Sequence, residues 1–159
     1  MVVMISRGLF QHILRAIAAL LNGRIQAARP LVEPRVAGTD EDALWRALAL
    51  ATRQEGSLEA AQLLASTAPL LLLYPPALRD RLLPLAAETM VLGGHLAKAE
   101  ELLAERPQDP TLRLARAFAH QAKGETDAAL ALLDSETASR DQLVHARAAV
   151  RDRKSTRLN

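Results

Sequence analysis

Residues 45 to 61 read Trp45-Arg-Ala-Leu48-Ala49-Leu-Ala-Thr52-Arg-Gln-Glu-Gly56-Ser-Leu58-Glu-Ala-Ala61, two apolar stretches of helical spacing with a glycine between them. The same phrase returns along the chain. Gly23-Arg-Ile25-Gln-Ala-Ala28, Gly56-Ser-Leu58-Glu-Ala-Ala61, Gly94-His-Leu96-Ala-Lys-Ala99 and Gly124-Glu-Thr126-Asp-Ala-Ala129 use four of the seven glycines. Eight residues after each glycine stands a leucine (Leu31, Leu64, Leu102, Leu132), and seven before it an alanine (Ala16, Ala49, Ala87, Ala117). Alanine and leucine are common in this chain, so one column could match by chance. Three columns meeting at all four glycines in one register is hard to obtain that way.

The glycines lie 33, 38 and 30 residues apart, close on average to the period of about 34 that marks helix–turn–helix repeats. The pattern Trp45-x-x-Leu48-Ala49-x-x-Thr52-x-x-x-Gly56-x-Leu58-x-x-Ala61 resembles the tetratricopeptide repeat family, with Thr52 in place of the usual aromatic and no tryptophan in the other copies. The resemblance covers roughly residues 7–134, most strongly in the last three copies. It implies an all-α fold, a right-handed α–α superhelix of about four helix–turn–helix repeats with a truncated fifth. The physics of the columns agrees. Glycine ends the first helix because a left-handed residue there has no Cβ to clash, and alanines on either side let two helices cross closely. One such unit leaves an apolar face that its neighbour must cover.

Periodicity and end signals predict helices over 7–21, 24–33, 41–55, 57–68, 77–92, 95–106, 110–122, 125–134 and 139–151. Thr39-Asp40-Glu41-Asp42 and Asp109-Pro110-Thr111 read as helix starts. Residues 1–38 form a degenerate repeat or cap, because Pro30 should end or kink its second helix. Three repeats fill 39–134, and 135–151 supplies the first helix of a truncated one. Pro84 is expected to bend helix 77–92 or delay its start. The run Ala68-Pro69-Leu70-Leu71-Leu72-Leu73-Tyr74-Pro75-Pro76 lengthens the second interval; burial against the neighbouring repeat is favoured over an exposed sticky patch.

Only four residues are aromatic, and half the chain is apolar. A core of Leu, Ala, Ile and Val suits packed helices, and no period-two run suggests a sheet. Without cysteine there is neither disulfide nor thiolate chemistry. The 17 arginines against three lysines point to a GC-rich, bacterial coding genome. Residues 152–159, Asp-Arg-Lys-Ser-Thr-Arg-Leu-Asn, match the translation of a common short-read sequencing adapter and read as a non-native tail. Removing its three basic residues and one acid from 20 and 18 leaves 17 of each. Nucleic acid and anionic membrane then lose their electrostatic basis as partners. His12 and Arg15 interrupt the apolar stretch 9–21, which reads as an amphipathic helix rather than a signal peptide or membrane span. The compartment leans to cytoplasm over periplasm.

No catalytic or metal constellation is legible. His12, His95, His120 and His145 lack metal-ligand spacing, Gly93-Gly94 is not followed by the Lys-Ser/Thr of a phosphate loop, and Glu88, Glu100 and Glu101 read as solvated helix faces. No enzyme activity, cofactor or metal is expected. The family resemblance implies a concave groove lined by the first helix of each repeat. Arg46, Arg53, Gln54, Arg81, Glu88, Phe118 and Gln121 are the groove candidates by register. A carboxylate clamp of the chaperone-binding kind is not expected, since Arg46, Leu50, Leu114 and Phe118 stand where Lys and Asn would be. The expected function is a scaffold holding another protein or a peptide, an acidic one near the second repeat. The alternative is an accessory or regulatory segment of a larger enzyme or membrane-associated machine.

Overall fold

A computed structural model describes residues 15–24, 26–27, 31, 39–53 and 57–134. Their regular structure is helical, with no strand among the described residues. Residues 15–21 are helical; then come α1 (Asp40–Arg53), α2 (Ser57–Thr67), a 3-10 segment (Ala68–Leu73), α3 (Pro76–Leu92) and α4 (Leu96–Ala104). A 3-10 turn (Pro110–Leu112), α5 (Arg113–Ala122) and α6 (Thr126–Asp134) complete it. None of the described helices is long and apolar enough to cross a membrane. The readings placed on Pro30, on most of helix 24–33, on Gly56, on helix 139–151 and on the 152–159 tail lie outside the described residues.

The helix starts are built as the sequence suggests. At α1, the Asp42 N–H donates to Thr39 Oγ1 at 3.2 Å while the Thr39 N–H donates to Asp42 Oδ2 at 3.0 Å. This reciprocal capping box satisfies two groups at the helix entrance, and Asp40, Glu41 and Asp42 favour the positive end of the dipole. The Asp109 carboxylate accepts from the Thr111 N–H at 2.9 Å, with Pro110 at the first 3-10 position, where its missing N–H goes unneeded. That end begins as a 3-10 turn, so the regular α-helix starts three residues later than the expected 110–122.

Three of the four phrase-opening glycines have left-handed backbone: Gly23 at φ 72°, Gly94 at 87° and Gly124 at 83°. The hydrogen bonds repeat as well. The residue after each glycine donates back five positions: Arg24 to Ala19 O at 2.8 Å, His95 to Met90 O at 2.8 Å, and Glu125 to His120 O at 2.9 Å. Each glycine N–H donates back three, to Leu20, Val91 and Gln121. All three are Schellman closures, which need a residue that tolerates positive φ. Gly93 is glycine for another reason. Its φ is an ordinary −86°, but an added Cβ would lie 2.1 Å from the Ala61 Cβ.

The repeated columns are the core. Ala16, Ala49, Ala87 and Ala117 are all buried, as are Ala61, Ala99 and Ala129, and Leu31, Leu64 and Leu102; Leu132 is half-buried against a small second cluster of Ala117, Ala129 and Leu133. First helices form one layer: α1 packs on α3 and α3 on α5. Each second helix lies against its own first helix, and α2 and α4 also reach the following one. Second helices share no extensive contact with one another.

Trp45 is 6% exposed and stacks on Tyr74, with ring centroids 6.0 Å apart. Its aromatic partner thus comes from the connection that follows its unit. The Tyr74 hydroxyl donates to Glu41 Oε1 at 2.6 Å; burial first, and this bond second, push its ionisation well above the ordinary value. The leucine-rich connection is mostly buried: Ala68 and Leu71 lie in the core, and Leu70 and Leu72 pack against it. Pro69 and Leu73 are exposed, Leu73 at 81%. Pro84 neither ends nor delays α3, which runs unbroken through it from Pro76. One missing N–H in a 17-residue helix is outweighed here by the buried Leu82, Leu83, Ala86 and Ala87 around it.

Candidate functional site

Six of the seven groove candidates fall among the described residues, and Gln54 lies outside them. Arg46, on α1, reaches across its unit to α2, where its Nη2 stands 2.6 Å from Glu59 Oε1. Arg53 occupies the last turn of α1, where the negative end of the helix dipole favours a cation. Arg81, on α3, donates to the Leu21 carbonyl at the end of helical segment 15–21, tying that segment to α3. A guanidinium has five donors, so this bond orients the group without exhausting it.

Glu88 lies two turns beyond Arg81 on α3. Burial raises its carboxyl from 4.5 to about 7, and among the described residues no cation or hydrogen-bond donor offsets that desolvation. Phe118 packs against the main core, and Gln121 is half-exposed on the last turn of α5. Leu50 is buried and Leu114 packs on the small second cluster, so these two positions serve packing. The first-helix layer therefore brings Arg46 and Arg53 onto one helix and Arg81 with Glu88 onto the next, several of them already engaged within the fold.

The junction between α4 and α5 carries a dense polar network. Arg116 Nη2 donates to the Leu103 carbonyl at 3.1 Å and to that of Arg106, while Nη1 donates to the Asp109 carbonyl at 3.2 Å. Arg106 Nε donates to Asp109 Oδ2 at 2.7 Å. Beside it, Lys123 Nζ sits 2.8 Å from Glu100 Oε1 and 3.6 Å from Glu125 Oε2. The His120 ring nitrogen is 2.5 Å from the same Glu125 oxygen. A hollow of about 230 Å³ lies between these side chains. Among the described residues no three His, Cys, Asp or Glu side chains gather as metal ligands would.

A larger concavity among the described residues was not foreseen. A groove of about 710 Å³ runs between α2 and α4 on the second-helix side, floored by Leu64, Ala65, Ala68, Leu72, Met90 and Leu102. Ala68, Pro69 and Leu72 of the 3-10 segment line it as well. The only sequence signal was the 38-residue interval from Gly56 to Gly94, four longer than the repeat period of about 34. That surplus says nothing about the space between the helices.

Compared with known proteins, the chain matches no family model, no curated protein and no solved structure.

Proposed function

We propose that this chain is a tetratricopeptide-like solenoid, a right-handed α–α superhelix of four helix–turn–helix units and the start of a fifth, that holds another protein. The observation carrying this reading is the recurrence of one unit: the same left-handed glycine closure three times, with the same alanine columns buried. Units that stack by nearest-neighbour contact present extended continuous surfaces, suited to holding a long partner. The first-helix layer, in which α1, α3 and α5 lie side by side, is the surface for a peptide or helical segment. Arg46, Arg53 and Arg81 give its first part a basic character that suits an acidic segment.

Affinity capture from the source organism with the whole chain, repeated with Arg46→Gln and Arg53→Gln together, tests this. Glutamine avoids setting a second carboxylate against Glu59. A partner that is lost with the double variant, while helical circular dichroism is unchanged, supports the reading. A partner that binds both forms equally and is lost on substituting the second-helix face keeps the scaffold and moves its working surface.

A further inference from the structure

The groove between α2 and α4 has a direction. Along α4 its wall carries His95 at the N-cap, then Lys98, Glu101 and finally Glu105 at the C-cap, one stripe at helical spacing. Lys98 Nζ is bonded to Glu101 Oε2 at 2.7 Å, which leaves Glu105 as the acid at the far end, with no ion pair among the described residues. The α4 dipole adds to the same gradient, positive at His95 and negative at Glu105. One end of the groove therefore favours an acid and the other a base.

Its shape is equally specific. The floor is apolar, and Ala65, half-buried, presents a side chain short enough for another backbone to come close. The walls are two helices that share no extensive contact. The eleven residues from His95 to Glu105 span about 15 Å of helix, or about three turns. In helix-in-groove recognition an amphipathic helix lays its apolar face into such a trough.

We infer that this groove seats an amphipathic helix of about three turns, its apolar face inward, running antiparallel to α4. Basic residues near its N-terminus meet Glu105, and acidic residues near its C-terminus meet Lys98 and His95. The site is separate from the first-helix surface proposed above and does not depend on it.

The probe is a fluorescein-labelled, helix-stapled synthetic peptide of about twelve residues, with leucines along one face, two lysines in its first turn and two glutamates in its last. A second peptide exchanges the lysines and glutamates. Fluorescence anisotropy against the whole chain should show the first binding about tenfold more tightly, a gap that charge complementarity at two ends supplies. Glu105→Lys, at an exposed position, should erase or invert that preference, and Ala65→Arg should abolish binding of both. If neither peptide binds, if both bind alike, or if Glu105→Lys leaves the ratio unchanged, the inference fails. It also fails if sedimentation shows a dimer that Ala65→Arg dissolves, which would assign the groove to a second copy. The Glu105→Lys ratio decides the matter even if Ala65→Arg perturbs folding.

Discussion

Two junctions do the same work in this molecule by different means. Between α2 and α3 the connection, residues 68–75, is rich in leucine: Ala68 and Leu71 enter the core, Leu70 and Leu72 lean on it, and Tyr74 stacks on Trp45. Between α4 and α5 only Leu112 is buried, and the turn is held by the Arg116 guanidinium spanning three carbonyls, with Arg106 clasping Asp109. The two connections, 68–75 and 105–112, are equal in length and differ in composition. A leucine-rich one folds its own apolar surface under itself, whereas a polar one has little to bury and satisfies its carbonyls with a side chain from the next helix. The leucine-rich junction also lines the larger groove through Ala68, Pro69 and Leu72.

The largest expected effect tests the apolar junction. Trp45→Ala removes a nearly buried indole and the Tyr74 stack together, and should cost about 3–5 kcal/mol in denaturant unfolding. A loss under about 1 kcal/mol, the typical size for an average substitution, would mean the junction is not held by this pair. At the polar junction, Arg116→Met should cost about 2 kcal/mol, because it keeps the apolar stem and strands part-buried carbonyls. Were Arg116→Met as damaging as Trp45→Ala, the contrast between the two junctions would collapse.

The turn between the two junctions offers a finer test. Gly93→Ala should cost about 1–3 kcal/mol by overpacking against Ala61, and Ala61→Gly should recover most of it. Gly94→Ala should cost about 1–2 kcal/mol through its left-handed backbone, and Ala61→Gly should recover none. A double-mutant cycle on thermal melts reads the coupling directly. Equal rescue of both variants would break the distinction.

The smallest effect concerns α3, the helix both junctions share. Glu88 holds its proton more tightly when folded, rising from 4.5 to about 7. Between those values the folded chain binds more protons than the unfolded one, so stability declines as pH rises through that window and levels off above it. Glu88→Gln should remove this slope and stabilise the protein at pH 8 on the order of 1 kcal/mol, since the carboxyl is not wholly buried. A flat parent profile between pH 5 and 8 would show that water reaches Glu88.

Much of the fold was legible because it rests on local chemistry. Positive φ at a helix end calls for glycine, and the phrase-opening glycines at 23, 94 and 124 stand there. The Thr39 and Asp109 caps follow from side chains two or three residues away. Burial of the alanine columns follows from their spacing. The errors were of a different kind. Pro84 suggested a bend or a late start because its local penalty is visible in sequence, whereas the core burial around a helix that starts at Pro76 is tertiary. The engagement of Arg46 by Glu59, and of Arg81 by the Leu21 carbonyl 60 positions away, depends on how helices cross, which register alone does not fix. The groove beneath α2 and α4 was illegible for the same reason, being a property of space between elements.

The pattern of packing also bears on how the chain reaches this state. Every described element with extensive contacts finds them within two helices along the sequence: α1 with α2 and α3, α3 with α4 and α5, α5 with α6. Loop closure is then short at every step, and topologies of this kind fold in microseconds to milliseconds. A growing chain need not wait for its far end. Each unit gains its covering neighbour about 34 residues after its own turn has formed, which at about 5–20 residues per second leaves seconds for every closure. Acquisition of structure can therefore keep pace with synthesis, turn by turn, in the order in which the glycines emerge.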